Sequence, residues 1–211
     1  WEVCMQNLIK EASILARLSH SNLISYYFAT KSIRGENSGC SLSKMKNNHV
    51  YLGMELMQRS LRDILKTNGE ASYTYLIDIM YQIARGMYYL HDMHIAHRDL
   101  KHENILVNIV EKKVMNKIVQ YAIVKVIDFR IYKIEVGSNP KSIENNNIYG
   151  STTYMALEVL KNKYERMTMC SFDADVFSFA MVCYKILLKR DRFDNCKRDE
   201  ILERIERGER P

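Results

Sequence analysis

Hydrophobic positions recur at two spacings along this chain, and the balance between them changes near Ser60. Over residues 7–18 the apolar side chains return every three to four residues, which predicts an amphipathic helix. Residues 23–29 and 49–57 are rich in Tyr, Val, Ile and Leu, which predicts two strands. The first part of the chain therefore predicts a small lobe with a sheet and one helix.

Helical spacing dominates the rest of the chain. It covers residues 60–66, 73–93, 174–188 and 199–207, and two short β-type runs occupy residues 105–110 and 122–127. Residues 135–147 are polar and predict a loop. The pattern indicates an α+β fold whose second lobe is mainly helical. The longest apolar stretch, residues 177–188, is shorter than the ~20 residues of a membrane helix, so no membrane span is predicted.

Composition and charge exclude some classes of protein. The chain is 47% hydrophobic and 27% charged, as in folded globular domains, and its net charge of +6 is too evenly spread to indicate nucleic-acid binding. The five cysteines are far apart and form no C-x-x-C pair, so we expect an intracellular, cytoplasmic setting. Because Trp1 stands where Met would open a complete product, we expect the sequence to begin within a longer protein.

A stretch of ten residues carries the clearest chemical signal. It reads H-R-D-L-K-H-E-N-I-L from His97, so that Asp99, Lys101 and Asn104 stand at short, fixed separations. Phosphoryl transfer requires groups that orient a hydroxyl and neutralise charge on the phosphoryl oxygens. A carboxylate, an ammonium group and an amide oxygen are suited to that work. The stretch fits the pattern H-R-D-L-x-x-x-N, and so resembles the catalytic loop of protein kinases.

Five further stretches resemble the same family and follow in its order. They are residues 10–24 (helix C and its exit), 50–57 (the last small-lobe strand and the hinge), 126–129 (V-I-D-F, for D-F-G), 150–158 (the substrate-binding loop, ending in A-L-E for A-P-E) and 175–180 (for D-x-W-S-x-G). The chain is identified by this resemblance as a eukaryotic protein kinase domain, similar to the tyrosine-kinase-like group and truncated at both ends. The resemblance implies a two-lobed protein-kinase-like α+β fold. A partial N-lobe would span residues 1–57, and a partial C-lobe without its last helices would span residues 58–211.

The resemblance also implies the cofactors ATP and magnesium and assigns roles around them. Asp99 would accept the proton of the attacking hydroxyl, and Lys101 would lie near the transferred phosphoryl group. Asn104 and Asp128 would bind magnesium through oxygen atoms. The expected nucleotide-binding residues are Glu55 and Met57 through their backbone, Leu106 below the purine, Met54 behind it, and Glu11 as the partner of a small-lobe lysine.

Other family features concern support and substrate. Asp175 would accept hydrogen bonds from the catalytic-loop backbone, and a stack of Leu15, Tyr26, His97 and Phe129 would link the lobes. Lysine two residues after the catalytic Asp is the arrangement of serine/threonine kinases, and Ser151 fits the same class. The implied partner is a protein substrate with a Ser or Thr hydroxyl.

Several departures from the family pattern favour weak or absent activity in this chain. Arg130 replaces the glycine of D-F-G, where its guanidinium would compete for Asp128, and Leu157 replaces the proline of A-P-E, which would loosen that turn. The glycine-rich loop and the lysine that pairs with Glu11 are not in the sequence. A pseudokinase or binding module with a vestigial nucleotide site is therefore an alternative.

A metal site is the second alternative. His91, His94 and His97 recur every three residues, and this spacing could place three imidazoles on one helical face as zinc ligands.

Overall fold

The computed structural model describes residues 15–32, 49–67, 72–115, 117–129, 152–161, 172–190, 196 and 198–209. The first sheet has two antiparallel strands, β1 (Tyr26–Ser32) and β2 (His49–Met54). The second has three, β3 (Arg59–Ser60), β4 (Ile105–Val114) and β5 (Lys117–Val126), in the order β3-β4-β5. Both pairings in this second sheet are antiparallel.

Five helices are described. They are α1 (Leu61–Leu65), α2 (Tyr73–Asp92), α3 (Leu157–Lys161), α4 (Phe172–Leu188) and α5 (Arg198–Glu206), and short 3-10 turns occupy His102–Asn104 and Thr152–Tyr154. Serine side chains open the first two helices: Ser60 accepts from the Asp63 N–H and Ser72 accepts from the Tyr75 N–H. Among the described residues no helix has the length and apolar character needed to cross a membrane.

Helix α2 is the centre of the main core. Its buried side chains recur every three to four residues, and they are Leu76, Ile79, Ile83, Met87 and Leu90. The same cluster includes Val124 and Val126 of β5, which are fully buried. Gln82 joins helix and strand, because its Nε2 donates to the Ala122 carbonyl at 2.8 Å and its Oε1 accepts from the Val124 N–H at 2.9 Å.

These observations confirm the α+β prediction. The helices predicted over 60–66, 73–93, 174–188 and 199–207 are present with ends moved by one or two residues. The helix predicted over 7–18 and the loop over 135–147 lie mostly or wholly outside the described residues.

The strand predictions need three corrections. The run 49–57 was too long, because β2 ends at Met54. The run 23–29 is not one strand: Leu23 makes an isolated parallel bridge to Val126, and β1 begins only at Tyr26. The runs 105–110 and 122–127 were too short, because β4 and β5 extend to a turn at Met115. Beyond Val110 both faces of this hairpin are exposed, so its sequence lacks the apolar alternation that marks a half-buried strand.

Candidate active site

A buried carboxylate holds the segment that leads to Asp99. Asp175 lies in the first turn of α4 and is 2% exposed. Its Oδ2 accepts the His97 N–H at 2.7 Å, and its Oδ1 accepts the Arg98 N–H at 2.8 Å. The expected contact between Asp175 and this backbone is therefore present. A third partner, which sequence reasoning did not predict, is His91, whose Nε2 lies 2.9 Å from Oδ2.

His97 connects this segment to the end of β5. Its ring is fully buried, its Nδ1 accepts the Asp99 N–H at 3.3 Å, and its Nε2 lies 3.0 Å from the Ile127 carbonyl. Phe129 packs edge-on against His97 and Tyr26, with ring centroids 6.3 Å and 6.4 Å apart. Three of the four residues expected to stack therefore contact one another, and Leu15 belongs to the same large apolar cluster as Phe129.

Asp99, Lys101 and Asn104 meet within one short segment. The Lys101 Nζ donates to both carboxylate oxygens of Asp99, at 3.0 Å and 3.2 Å. The Asn104 Nδ2 donates to the Asp99 carbonyl at 2.8 Å. Since that bond fixes the amide with its nitrogen toward Asp99, the Asn104 Oδ1 is the atom left to bind a cation.

Backbone contacts place Asp128 beside this group. The Ile127 N–H donates to the Asn104 carbonyl at 2.9 Å, so the residue after Ile127 begins next to Asn104. Asp128 has a φ of 57°, in the left-handed region that Asp tolerates better than most residues. Its side chain is exposed. The backbone thus places Asp128 one residue beyond the contact with Asn104, and metal binding by these two residues stays a prediction.

The donor set fits magnesium and does not fit zinc. Magnesium takes oxygen ligands and is commonly held by one or two carboxylates together with substrate phosphates. Among the described residues no three His, Cys, Asp or Glu side chains converge as a metal site. The alternative of zinc bound by His91, His94 and His97 is therefore wrong, because His91 pairs with Asp175, His97 is buried against Ile127, and His94 lies exposed in a turn.

The segment after β2 lies near the same end of β5. The Glu55 N–H donates to the Ser25 carbonyl at 3.0 Å, which leaves the Glu55 carbonyl as the backbone group that could meet a ligand. Met54 is 44% exposed. The Glu55 side chain turns toward β5, where its Oε1 lies 2.5 Å from the Lys125 Nζ. The sequence did not predict this ion pair, and Glu11 lies outside the described residues.

Comparison with known proteins decides the family. The protein kinase domain family matches residues 2–210. The chain belongs to the protein kinase family. It is 36% identical over 189 residues to a light-sensor protein kinase of Ceratodon purpureus, covering 84% of this chain and 14% of that protein. It is 29% identical over 210 residues to calcium-dependent protein kinase 5 of Plasmodium falciparum, covering 97% of this chain and 31% of that protein.

A bacterial relative extends the comparison. The probable serine/threonine-protein kinase PknB of Bifidobacterium longum is 24% identical over 193 residues, covering 91% of this kinase domain and 25% of that protein. This kinase domain thus spans less than a third of the length of each of these three relatives. The predicted protein-kinase fold is confirmed, and the tyrosine-kinase-like grouping stays a prediction.

The segment predicted to bind substrate is described from Thr152 onward, and residues 152–158 are called the substrate segment below. Leu157, which was expected to loosen this part of the kinase domain, begins α3 and packs against the buried Ile205 of α5. Arg130 and Ser151 lie outside the described residues. Two further residues that the sequence did not single out, His102 and Tyr154, form a buried contact between this segment and the catalytic loop.

Proposed function

We propose that this kinase domain transfers the γ-phosphate of ATP to a Ser or Thr hydroxyl of a protein substrate. The observation that supports this most strongly is the contact of Asp99 with Lys101 and Asn104, next to the strand end that leads to Asp128. Phosphoryl transfer depends on positioning and charge neutralisation more than on covalent chemistry. These four side chains provide a base, a cation and two oxygen donors for a metal ion.

Each side chain has one task in this proposal. Asp99 accepts the proton of the attacking hydroxyl, and its contact with Lys101 holds the carboxylate in place. Lys101 faces the transferred phosphoryl group, where its positive charge stabilises the developing negative charge. Asn104 and Asp128 hold magnesium, which when bound neutralises charge on the phosphate oxygens.

The nucleotide lies between the two parts of the domain in this proposal. The Glu55 carbonyl and the Met57 backbone bind adenine, Leu106 packs below the purine, Met54 limits the space behind it, and Glu11 pairs with a lysine of the small lobe. We place the boundary between the partial N-lobe and the partial C-lobe at residues 57 and 58. The occupied N–H of Glu55 supports the carbonyl as the adenine-binding group.

The class of hydroxyl follows from one residue and from the relatives. Lys101 stands two residues after Asp99 and contacts it, which is the arrangement that the family resemblance associates with Ser and Thr substrates. PknB of Bifidobacterium longum carries serine/threonine kinase in its name. We also propose an intracellular, cytoplasmic setting, which the absence of any C-x-x-C pair in the sequence supports.

The test is phosphate transfer from labelled ATP to a Ser/Thr protein substrate by the purified chain. We expect slow, magnesium-dependent transfer that Arg130→Gly accelerates, because glycine has no guanidinium that could compete with magnesium for Asp128. Asp99→Asn should lower the rate by about a hundredfold or more, the typical contribution of a general base. The matched control is Asp92→Asn, which removes an exposed carboxylate at the end of α2 and should leave the rate unchanged.

Two results would contradict the proposal. Transfer that survives Asp99→Asn would remove Asp99 from the reaction. No transfer by any variant, with no thermal stabilisation by millimolar ATP and magnesium, would favour the binding-module alternative, since a ligand that binds the folded state must stabilise it.

A further inference from the structure

His102 is a buried residue between Lys101 and Asn104, which both act in the proposed reaction. It follows Lys101 directly and opens the short turn His102–Asn104. The residue is 8% exposed, although a histidine on such a turn could equally point into water. The buried ring contacts Tyr154 of the substrate segment.

The contact between the two rings is both polar and stacked. The Tyr154 hydroxyl lies 2.6 Å from the His102 Nδ1, and the ring centroids are 5.6 Å apart with 29° between the planes. Tyr154 is 5% exposed. Because both polar atoms are shielded from water, separating them would leave two buried groups without this bond, which costs more than a surface hydrogen bond does.

Helix α4 holds both ends of this arrangement. The Ser178 Oγ donates to the Tyr154 carbonyl at 2.7 Å, so the substrate segment is fixed to the helix at the residue that meets His102. Asp175 lies three residues earlier on α4 and binds the backbone of His97 and Arg98. Residues three apart share one helix face. The catalytic loop is therefore tied to α4 directly through Asp175 and indirectly through His102 and Tyr154.

Two charged residues, Glu103 and Arg62, lie near the His102 imidazole. The Glu103 Oε2 lies 3.1 Å from the His102 Nδ1, and the Glu103 Oε1 lies 3.5 Å from the Arg62 guanidinium of α1. Nδ1 is thus within reach of both the Tyr154 hydroxyl and a carboxylate. An apolar side chain at position 102 would fill the space but would meet neither of them.

We propose that His102 is a positioning residue that sets the place of the substrate segment relative to Asp99 and Lys101. It acts through Tyr154, and the contact fixes where a substrate hydroxyl lies with respect to the proposed base. The expected kinetic effect rests on the proposed function. The contact itself rests on the geometry alone. Loss of the contact weakens binding of the protein substrate and leaves binding of ATP unchanged.

The kinetic test uses three variants of the chain. Tyr154→Phe removes only the hydroxyl, His102→Leu removes the polar nitrogen, and His102→Asn places a polar side-chain atom near the position of Nδ1. We expect the first two to raise KM for a Ser/Thr peptide roughly three- to tenfold, the range of one lost hydrogen bond, with KM for ATP unchanged. His102→Asn should restore most of the loss. The double variant Tyr154→Phe/His102→Leu should be no worse than His102→Leu alone, because both remove one contact.

A second measurement does not depend on catalysis. The Val159 N–H donates to the Ala156 carbonyl at 3.1 Å, so its hydrogen exchange reports opening where the substrate segment leads into α3. Exchange should be faster in Tyr154→Phe and His102→Leu and normal in His102→Asn. Tyr88→Phe, on an exposed tyrosine of α2, is the matched control and should change neither exchange nor KM.

The outcomes separate the two proposals. If no variant transfers phosphate and ATP with magnesium gives no thermal stabilisation, the proposed function fails, and exchange at Val159 alone decides whether His102 positions the segment. Unchanged exchange in both Tyr154→Phe and His102→Leu would overturn the inference. Faster exchange with an unchanged peptide KM would also overturn it, since the contact would then be structural only. Equal effects of His102→Asn and His102→Leu would overturn it for the same reason.

Discussion

The two ring nitrogens of His97 have different partners, and this fixes the charge of the imidazole. Nδ1 accepts the Asp99 N–H, so the proton of the neutral ring resides on Nε2, which donates to the Ile127 carbonyl. Burial lowers the pKa of His97 below its ordinary 6.5, and the nearby carboxylates of Asp175 and Asp99 oppose this without reversing it. A neutral His97 therefore joins the residues before Asp99 to the strand end that carries Asp128.

This pKa shift predicts a pH dependence of stability. Below about pH 6.5 the unfolded chain binds a proton at His97 that the folded chain does not, so the free energy of unfolding falls as pH falls, by up to about 1.4 kcal/mol per pH unit for one group. Burial lowers the pKa of His20 as well, which adds to the same trend. Urea unfolding at pH 7.5, 6.5 and 5.5 measures the slope.

Two substitutions identify the group responsible. His97→Gln retains a donor for the Ile127 carbonyl but does not titrate, so we expect a flatter pH dependence. His94→Gln changes an exposed histidine three residues earlier and should leave the slope as it is in the wild type. An unchanged slope in His97→Gln would show that another group causes the trend.

Residue spacing explains what the sequence could predict of the site. Asp99, Lys101 and Asn104 lie within six residues, so a local pattern is enough to find them. The hydrogen bond between His102 and Tyr154 joins residues 52 positions apart, and no periodicity connects such a pair. Lys125 stands between Val124 and Val126 on β5, and only the folded chain shows that it meets Glu55.

At the scale of elements, helix α2 packs against the segment before β1 so closely that no Cβ atom fits at Gly86. A Cβ atom on Gly86 would lie 2.8 Å from the Asn22 carbonyl oxygen and 3.3 Å from the Val126 Cγ2. Asn22 is 3% exposed, and its Nδ2 donates to Gln82 and to the Val124 carbonyl. Glycine at position 86 therefore lets helix α2 and strand β5 pack against Asn22, whose side chain forms hydrogen bonds to both.

Gly86→Ala should therefore destabilise the domain even though alanine is the better helix former. The substitution gains about 1 kcal/mol of helix propensity. It also forces the backbone around Asn22 to move, which costs about 1–3 kcal/mol and more if its hydrogen bonds lengthen. We expect a net loss of about 1 kcal/mol, measured as a lower urea midpoint with an unchanged m-value.

The control for this prediction is on the exposed face of the same helix. Tyr88 is 74% exposed, and Tyr88→Ala should alter stability by no more than about 0.5 kcal/mol. A Gly86→Ala protein as stable as the wild type would show that helix and loop separate without cost.

At the scale of the whole molecule, β5 connects the two sheets. The Val126 N–H donates to the Asn22 carbonyl, and its carbonyl accepts from the Ile24 N–H, so the residues before β1 pair with the end of β5. Lys125, one residue earlier, reaches both the Leu23 carbonyl, at 3.1 Å, and the Glu55 carboxylate. Apolar runs in the sequence predicted the two strands of the first sheet and shorter forms of β4 and β5, but how the two sheets join depends on these long-range contacts.

The ion pair between Glu55 and Lys125 is mostly enclosed. The Lys125 side chain is 13% exposed and the Glu55 side chain 19%. The Glu55 Oε1 has no well-aligned hydrogen bond despite its 2.5 Å approach to the lysine, so the attraction between the two is chiefly that of opposite charges. Removing the lysine would leave this carboxylate enclosed without its counter-charge.

Lys125→Met should therefore lower the free energy of unfolding by about 2 kcal/mol, the cost of one charge-assisted contact in a mostly enclosed site. Lys117→Met is the matched control, because Lys117 lies on the same face of β5 at its exposed end and should change stability by no more than about 0.5 kcal/mol. Urea unfolding of both variants measures the difference. Adding Glu55→Gln to Lys125→Met should recover part of the loss, since no enclosed charge then remains. Equal stability of Lys125→Met and Lys117→Met would mean that the ion pair does not help to hold the two sheets together.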